Sequence, residues 1–149
     1  AESTFISSTF WTERIGPVAA MKALEVMEGI QSWDLITSIG YEIRACWKTL
    51  ADKHDLEISI TGIPSMPKLS FNSQSDQAYK TLISQEMLKK GFLAGHSVYS
   101  CTEHTDEIIN QYFEQLQHVF STIADCENGR NVDKLLEGPV CHAGFKRLN

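Results

Sequence analysis

The chain predicts an α+β domain, a small and mainly antiparallel sheet covered by helices. Three observations predict it. Apolar residues recur at helical spacing in several separate stretches, and one short stretch alternates apolar with polar, as a half-buried strand requires. The candidate strands are too short for a doubly wound sheet, so helices and strands segregate into two layers.

The elements follow in order. Pro17 marks the start of a first helix, because a missing N–H costs nothing at the first helical position. Its apolar residues Val18, Met21, Leu24 and Met27 recur at three-residue steps, and Gly29 is placed to stop it. Ser32 offers an N-cap for a second helix, along which Ile36, Ile39, Ile43, Cys46 or Trp47, and Leu50 share a face. Leu56, Ile58 and Ile60 then alternate with polar neighbours as a strand. Gly62-Ile-Pro64 and Pro67 punctuate a turn, and Lys68 to Phe71 forms the returning strand.

Ser75 or Asp76 can cap a third helix with Ala78, Tyr79, Leu82, Ile83 and Leu88 on its apolar side, closed by Lys89-Lys90-Gly91. Phe92-Leu93 and Val98-Tyr99 are short strand candidates on either side of Gly95. Thr105 caps the last long helix, whose stripe is Ile108, Ile109, Tyr112, Phe113, Leu116, Val119, Phe120 and Ile123. From Asp125 onward Gly129, Gly138, Pro139 and Gly144 interrupt any period, which predicts a tail that wraps over a surface or stays mobile.

At 149 residues one domain suffices. A net charge of -6, with Lys89-Lys90 the only basic pair before the tail, argues against nucleic acid as a partner. No apolar run reaches membrane-spanning length, so no membrane partner is expected. Four widely spaced cysteines, Cys46, Cys101, Cys126 and Cys141, suit a reducing, cytoplasmic setting better than a disulfide framework. Cys101-x-x-His104 and Cys141-His142 carry zinc-type donors without the tight pairing a zinc site wants, so no metal is expected. Trp33, Trp47 and the apolar stripes read as core or interface, while Glu25, Glu28, Glu107 and Glu114 read as solvated charge.

The opening stretch from Phe5 to Val18 departs from these patterns. Ser7, Ser8, Thr9 and Thr12 stand beside Phe10 and Trp11, ahead of Gly16 and Pro17. Short hydroxyl side chains near a turn can donate to a phosphate oxygen with little bulk, although an ordinary polar loop has the same composition. Together with the helical hairpin, the strand pair and the Ser/Cys-x-x-His-Thr turn that contains His104, this loop resembles the opening of the C-terminal domain of class III pyridoxal-phosphate-dependent aminotransferases, of the glutamate-1-semialdehyde 2,1-aminomutase kind. The likeness runs from about Phe5 to Ala124.

That resemblance implies the C-terminal small domain of a fold-type I transferase, with residues 1–16 an arm continuing from a large domain, residues 17–124 the small domain itself and residues 125–149 a tail. It implies pyridoxal 5'-phosphate as cofactor, a homodimer, and a small-molecule amino donor and acceptor. Either an aminotransferase or an aminomutase, which is an isomerase, fits. Thr9, with Ser8 as second choice, takes the place of the residue that contacts the cofactor phosphate of the neighbouring subunit. The loop is a few residues longer between Thr9 and Pro17 than in much of the family, which makes Phe10, Trp11, Glu13 and Arg14 candidates for the dimer contact or the substrate entrance.

His96, after Leu93-Ala94-Gly95, falls where a carboxylate-bearing loop faces the substrate in the aminomutases. A titratable imidazole there would change which substrate charge is accepted, while a surface histidine in a loop is the plainer reading. The Schiff-base Lys and the Asp that pairs with the pyridine nitrogen lie upstream of this loop in the family and have no counterpart here. Hence no catalytic residue is expected in this chain, and on its own it is expected to be inactive. The competing expectation is a stand-alone, non-catalytic α+β interaction or regulatory module.

Overall fold

A computed structural model describes residues 13–142. The chain divides into two compact units, the first ending at Trp33 and the second beginning at Asp34. In the first unit, α1 spans Ile15–Gly29. It starts two residues before the sequence expectation, so Pro17 is its third residue, still within the first turn where its missing N–H has no partner to lose. Gly29 does not end it by turning left-handed; that conformation falls on Gln31, with φ of 51°. No residue of α1 is buried.

Helix α2 spans Ser32–Lys53. Ser32 is its first residue and its Oγ finds no partner among the described residues, so the expected cap is absent. The expected stripe is present in the second unit, where Ile43, Trp47 and Leu50 are buried and Trp47, rather than Cys46, fills the core. Strands β1 (Ile58–Thr61) and β2 (Lys68–Phe71) form a two-stranded antiparallel sheet with Ile58 opposite Phe71 and Thr61 opposite Lys68. Leu56 is buried ahead of β1 rather than within it.

The hairpin connection is held close to α2. A Cβ at Gly40 would stand 1.7 Å from the carbonyl oxygen of Pro64, so only glycine lets the two backbones meet. At Gly62, φ of 87° and a Cβ position 2.4 Å from the Met66 carbonyl oxygen impose the same restriction on the turn itself.

Helix α3 covers Asp76–Leu88. Its Ser75 cap makes no side-chain bond; Asp76 instead accepts from the Phe71 backbone N–H at 2.8 Å and pairs with Lys80 at 2.6 Å, fastening the helix to β2. Met87 replaces the expected Leu88 on the buried side, because Ile83 and Met87 lie one turn apart while Leu88 points to solvent. Helix α4 (Asp106–Glu127) is capped as expected, with Thr105 Oγ accepting from the Ile108 N–H, and Leu116, Phe120 and Ile123 are wholly buried. Its stripe continues past Ala124 to Cys126, which is also buried.

One core joins these elements: Trp47 from α2, Leu69 and Phe71 from β2, Leu82 and Met87 from α3, and Leu116 and Phe120 from α4. Phe71 meets the rings of Tyr79 and Phe120 at centroid distances of 5.5 and 5.6 Å, in the tilted geometries aromatic pairs favour. The tail wraps back over α3. A short 3-10 turn, Val132–Lys134, buries Val132, and beyond it the Gln85 side chain donates to the Leu135 carbonyl at 2.9 Å while its oxygen accepts from the Glu137 N–H at 2.8 Å. Thr81 Oγ accepts from the Cys141 N–H at 2.9 Å.

Candidate functional site

The segment Gly91–Tyr99 leaves α3 without forming a regular strand. An isolated bridge pairs Ser97 with Lys68, and three backbone bonds, Leu69 N–H to His96 O at 2.7 Å, Val98 N–H to Pro67 O at 3.1 Å and Ser100 N–H to Ser65 O at 3.0 Å, lay the segment antiparallel along the β2 edge. Only one side of β2 is taken by β1, so the free edge holds this loop in place of a third strand.

This anchoring opens a cavity of about 480 Å³ between the loop, α2 and the start of α4. Ile43, Phe92, Val98, His104, Ile108 and Tyr112 are among its walls, and no Asp, Glu, Lys or Arg is among its described lining residues. Two polar side chains face it. Tyr112 is packed edge-on between Phe92 and Phe113, and burial pushes its phenol up to about 12, so it stays a neutral hydroxyl. His104 Nδ1 accepts from the Cys101 N–H at 3.4 Å, which leaves Nε2 as the donor of the neutral ring. The turn role expected of His104 is thus met by a local hydrogen bond.

His96 is half-buried and does not line this cavity. Burial pushes its imidazole below the usual histidine range, and Lys80 and Lys68 add to that while Asp76 opposes it. The ring therefore sits on the Asp76–Lys80 side of β2. Thr9 and Ser8, with Phe10 and Trp11, lie outside the described residues. Arg14 is the N-cap residue of α1, without a side-chain cap bond, and Glu13 is exposed beside it.

The four cysteines are free thiols, Cys126 buried and Cys101 exposed, and among the described residues no three His, Cys, Asp or Glu side chains gather as metal ligands. No described helix is long and apolar enough to cross a membrane.

With this geometry in place, comparison with known proteins gives the kinship. No family model matches the chain. A 3-aminobutyryl-CoA aminotransferase of Cloacimonas acidaminovorans (strain Evry) is 26% identical over 128 residues, covering 83% of this chain and 31% of that protein. An aminopentol aminotransferase of Sphingopyxis macrogoltabida is 22% identical over 125 residues, covering 83% of this chain and 30% of the other. In sequence, this chain is a relative of aminotransferases.

The fold agrees. The FumI protein of Sphingopyxis sp. MTA144, solved in its PLP internal aldimine form, matches 90% of this chain and 33% of its own with a TM-score of 0.75 at 19% identity. The expected small α+β architecture and the expected likeness to pyridoxal-phosphate aminotransferases both hold. This chain spans about a third of the length of each of these proteins.

The described residues of this aminotransferase relative do not form a seat for pyridoxal phosphate. The apolar cavity has no lysine to join an aldehyde and no cation to face a phosphate. Lys22, Lys48, Lys80 and Lys89 are engaged with carboxylates, and Lys53 donates to Gln117. Sequence reasoning missed the cavity because its walls come from three stretches far apart in the chain. The single available signal was Tyr112, a polar atom on an otherwise apolar stripe.

Proposed function

We propose that this chain supplies the C-terminal small domain, residues 17–124, of a class III pyridoxal-phosphate-dependent aminotransferase, with residues 1–16 an arm from a large domain and residues 125–149 a wrapping tail. The observation that carries the reading is the double match: two aminotransferases in sequence and a PLP-bearing protein in fold, each over about a third of its length. Pyridoxal phosphate, when bound, supplies the electron sink for moving an amino group from a donor to an acceptor. In this reading the lysine that anchors it lies outside this chain, which on its own is inactive.

The chain's own contribution is positional. Thr9, or Ser8 beside it, donates a hydroxyl hydrogen to the cofactor phosphate of the neighbouring protomer in a cytoplasmic homodimer. Activity then depends on dimerisation, since each site is completed in trans. Transfer between two molecules is favoured over the glutamate-1-semialdehyde aminomutase type of isomerisation, because both relatives carry aminotransferase names. Neither named substrate, a 3-aminobutyryl thioester or an aminopentol, has a free carboxylate beside its amine. An imidazole at His96, held neutral by Lys68 and Lys80, suits such a substrate better than a carboxylate would.

The test is cofactor retention in the full-length protein carrying Thr9→Ala. Losing a hydrogen bond to a charged group weakens binding by on the order of 1 to 3 kcal/mol, so equilibrium dialysis should register a clear loss of bound cofactor. Retention unchanged in both Thr9→Ala and Ser8→Ala removes the phosphate contact from the reading.

A further inference from the structure

We propose that the cavity between Gly91–Tyr99, α2 and α4 receives the uncharged hydrocarbon part of the amine substrate, an alkyl or aryl group bearing a hydroxyl or carbonyl oxygen; this rests on the aminotransferase reading above. Its volume of about 480 Å³ falls within the roughly 300–1,000 Å³ typical of small-molecule sites. Its walls carry no charged side chain, so an anionic or cationic group entering it would lose water and gain no partner. What they do offer is apolar surface from Ile43, Phe92, Val98 and Ile108, together with two neutral donors.

Those donors define the chemistry of the occupant. Tyr112 keeps its proton to about pH 12, and the His104 ring, with Nδ1 turned to the Cys101 N–H, keeps Nε2 as donor. A purely hydrocarbon occupant leaves both unmatched, whereas an oxygen acceptor on the chain matches them. The rim is open: Leu93 is 96% and Ile108 43% exposed, so a chain can enter without moving the core.

Two measurements on the full-length holoenzyme test this. The first titrates n-octanol into protein with isotopically labelled isoleucine methyls. Saturable shifts are expected at Ile43, Ile108 and Ile109, and none at Ile123, which lies in the core away from the cavity. The second compares kcat/KM for n-octylamine and n-butylamine. Burying the extra methylenes should favour the longer amine by at least about tenfold, and Ile108→Trp, on a partly exposed position that should not disturb folding, should erase most of that preference. Leu93→Asp, at the exposed rim, should reduce it as well.

Transamination of both amines with equal efficiency, together with no saturable octanol shifts, overturns the cavity assignment and leaves the aminotransferase reading standing. Saturable octanol binding in a protein that transaminates no amine overturns that reading and takes the substrate role with it.

Discussion

Helices α1 and α4 carry the same kind of sequence signal and meet different surroundings. Each has apolar residues at three- and four-residue steps. In α4 they are the core, with Leu116 and Phe120 wholly buried; in α1 Met21 is 67% and Leu24 58% exposed. The pattern therefore specifies which residues share a face and is silent on what that face meets. Helix α4 finds β2 and α3 within the same unit, and their apolar residues complement its stripe. Helix α1 has no such counterpart within its own unit.

The sharpest way to break this contrast is truncation on both helices. Phe120→Ala should cost about 4 kcal/mol, the scale of an emptied aromatic site, whereas Leu24→Ala and Met21→Ala should each stay within about 0.5 kcal/mol. Urea unfolding of this chain measures all three. A cost at Leu24 comparable to that at Phe120 would mean that the α1 stripe is already packed in solution.

A somewhat smaller effect is expected where α2 meets the hairpin. Gly40→Ala forces a methyl into the Pro64 carbonyl, and backbone on both sides leaves little room to relax. A loss of about 3 kcal/mol is expected, with the β1–β2 hairpin displaced from α2. Near-neutral stability in that variant would show that the close approach is not kept in solution.

The smallest expected effect sharpens the description of the α4 end. Tyr79 donates to Glu127 at 2.5 Å, tying α3 to the last turn of α4. This bond holds the Glu127 carboxyl below the usual glutamate range, while burial, with help from Glu127, pushes the Tyr79 phenol up to about 12. A depressed carboxylate stabilises the fold above its unfolded-state value, and that contribution is lost as pH falls through the folded-state value. Tyr79→Phe should therefore cost about 1 kcal/mol near neutrality, with the gap to the unsubstituted protein closing as pH drops from about 5 to about 3. A gap that stays constant over this range would assign the cost to packing alone.

Much of the fold was legible in the sequence because it is written locally. Thr105 capping α4, the bounds of β2 at Lys68 and Phe71, and the buried series from Leu116 to Ile123 each depend on residues within one or two turns of one another. The misses are tertiary. Ser32 cannot cap because its Oγ is buried without a partner, and Leu88 yields to Met87 because the core lies on the other side of α3. Phe92-Leu93 and Val98-Tyr99 do not become strands because Gly91–Tyr99 meets β2 through an isolated bridge and a few backbone bonds.

The candidate site was less legible still. His96 and His104 were visible as residues, but their opposite placement, one near Lys80 and the other on the apolar cavity, arises from the path of the loop along the β2 edge. Ile43, His104 and Tyr112 meet only after α2 and α4 have packed, and no local spacing encodes that meeting.

The most direct test of kinship with cofactor-dependent amino transfer is a single-turnover half-reaction. The full-length protein that contains this chain, purified and mixed with excess n-octylamine and no acceptor, should convert bound pyridoxal phosphate to pyridoxamine phosphate in amounts matching its subunits, as mass spectrometry of the released cofactor would record. A protein that purifies without the cofactor, takes up none when it is added, and leaves the amine unchanged would contradict it.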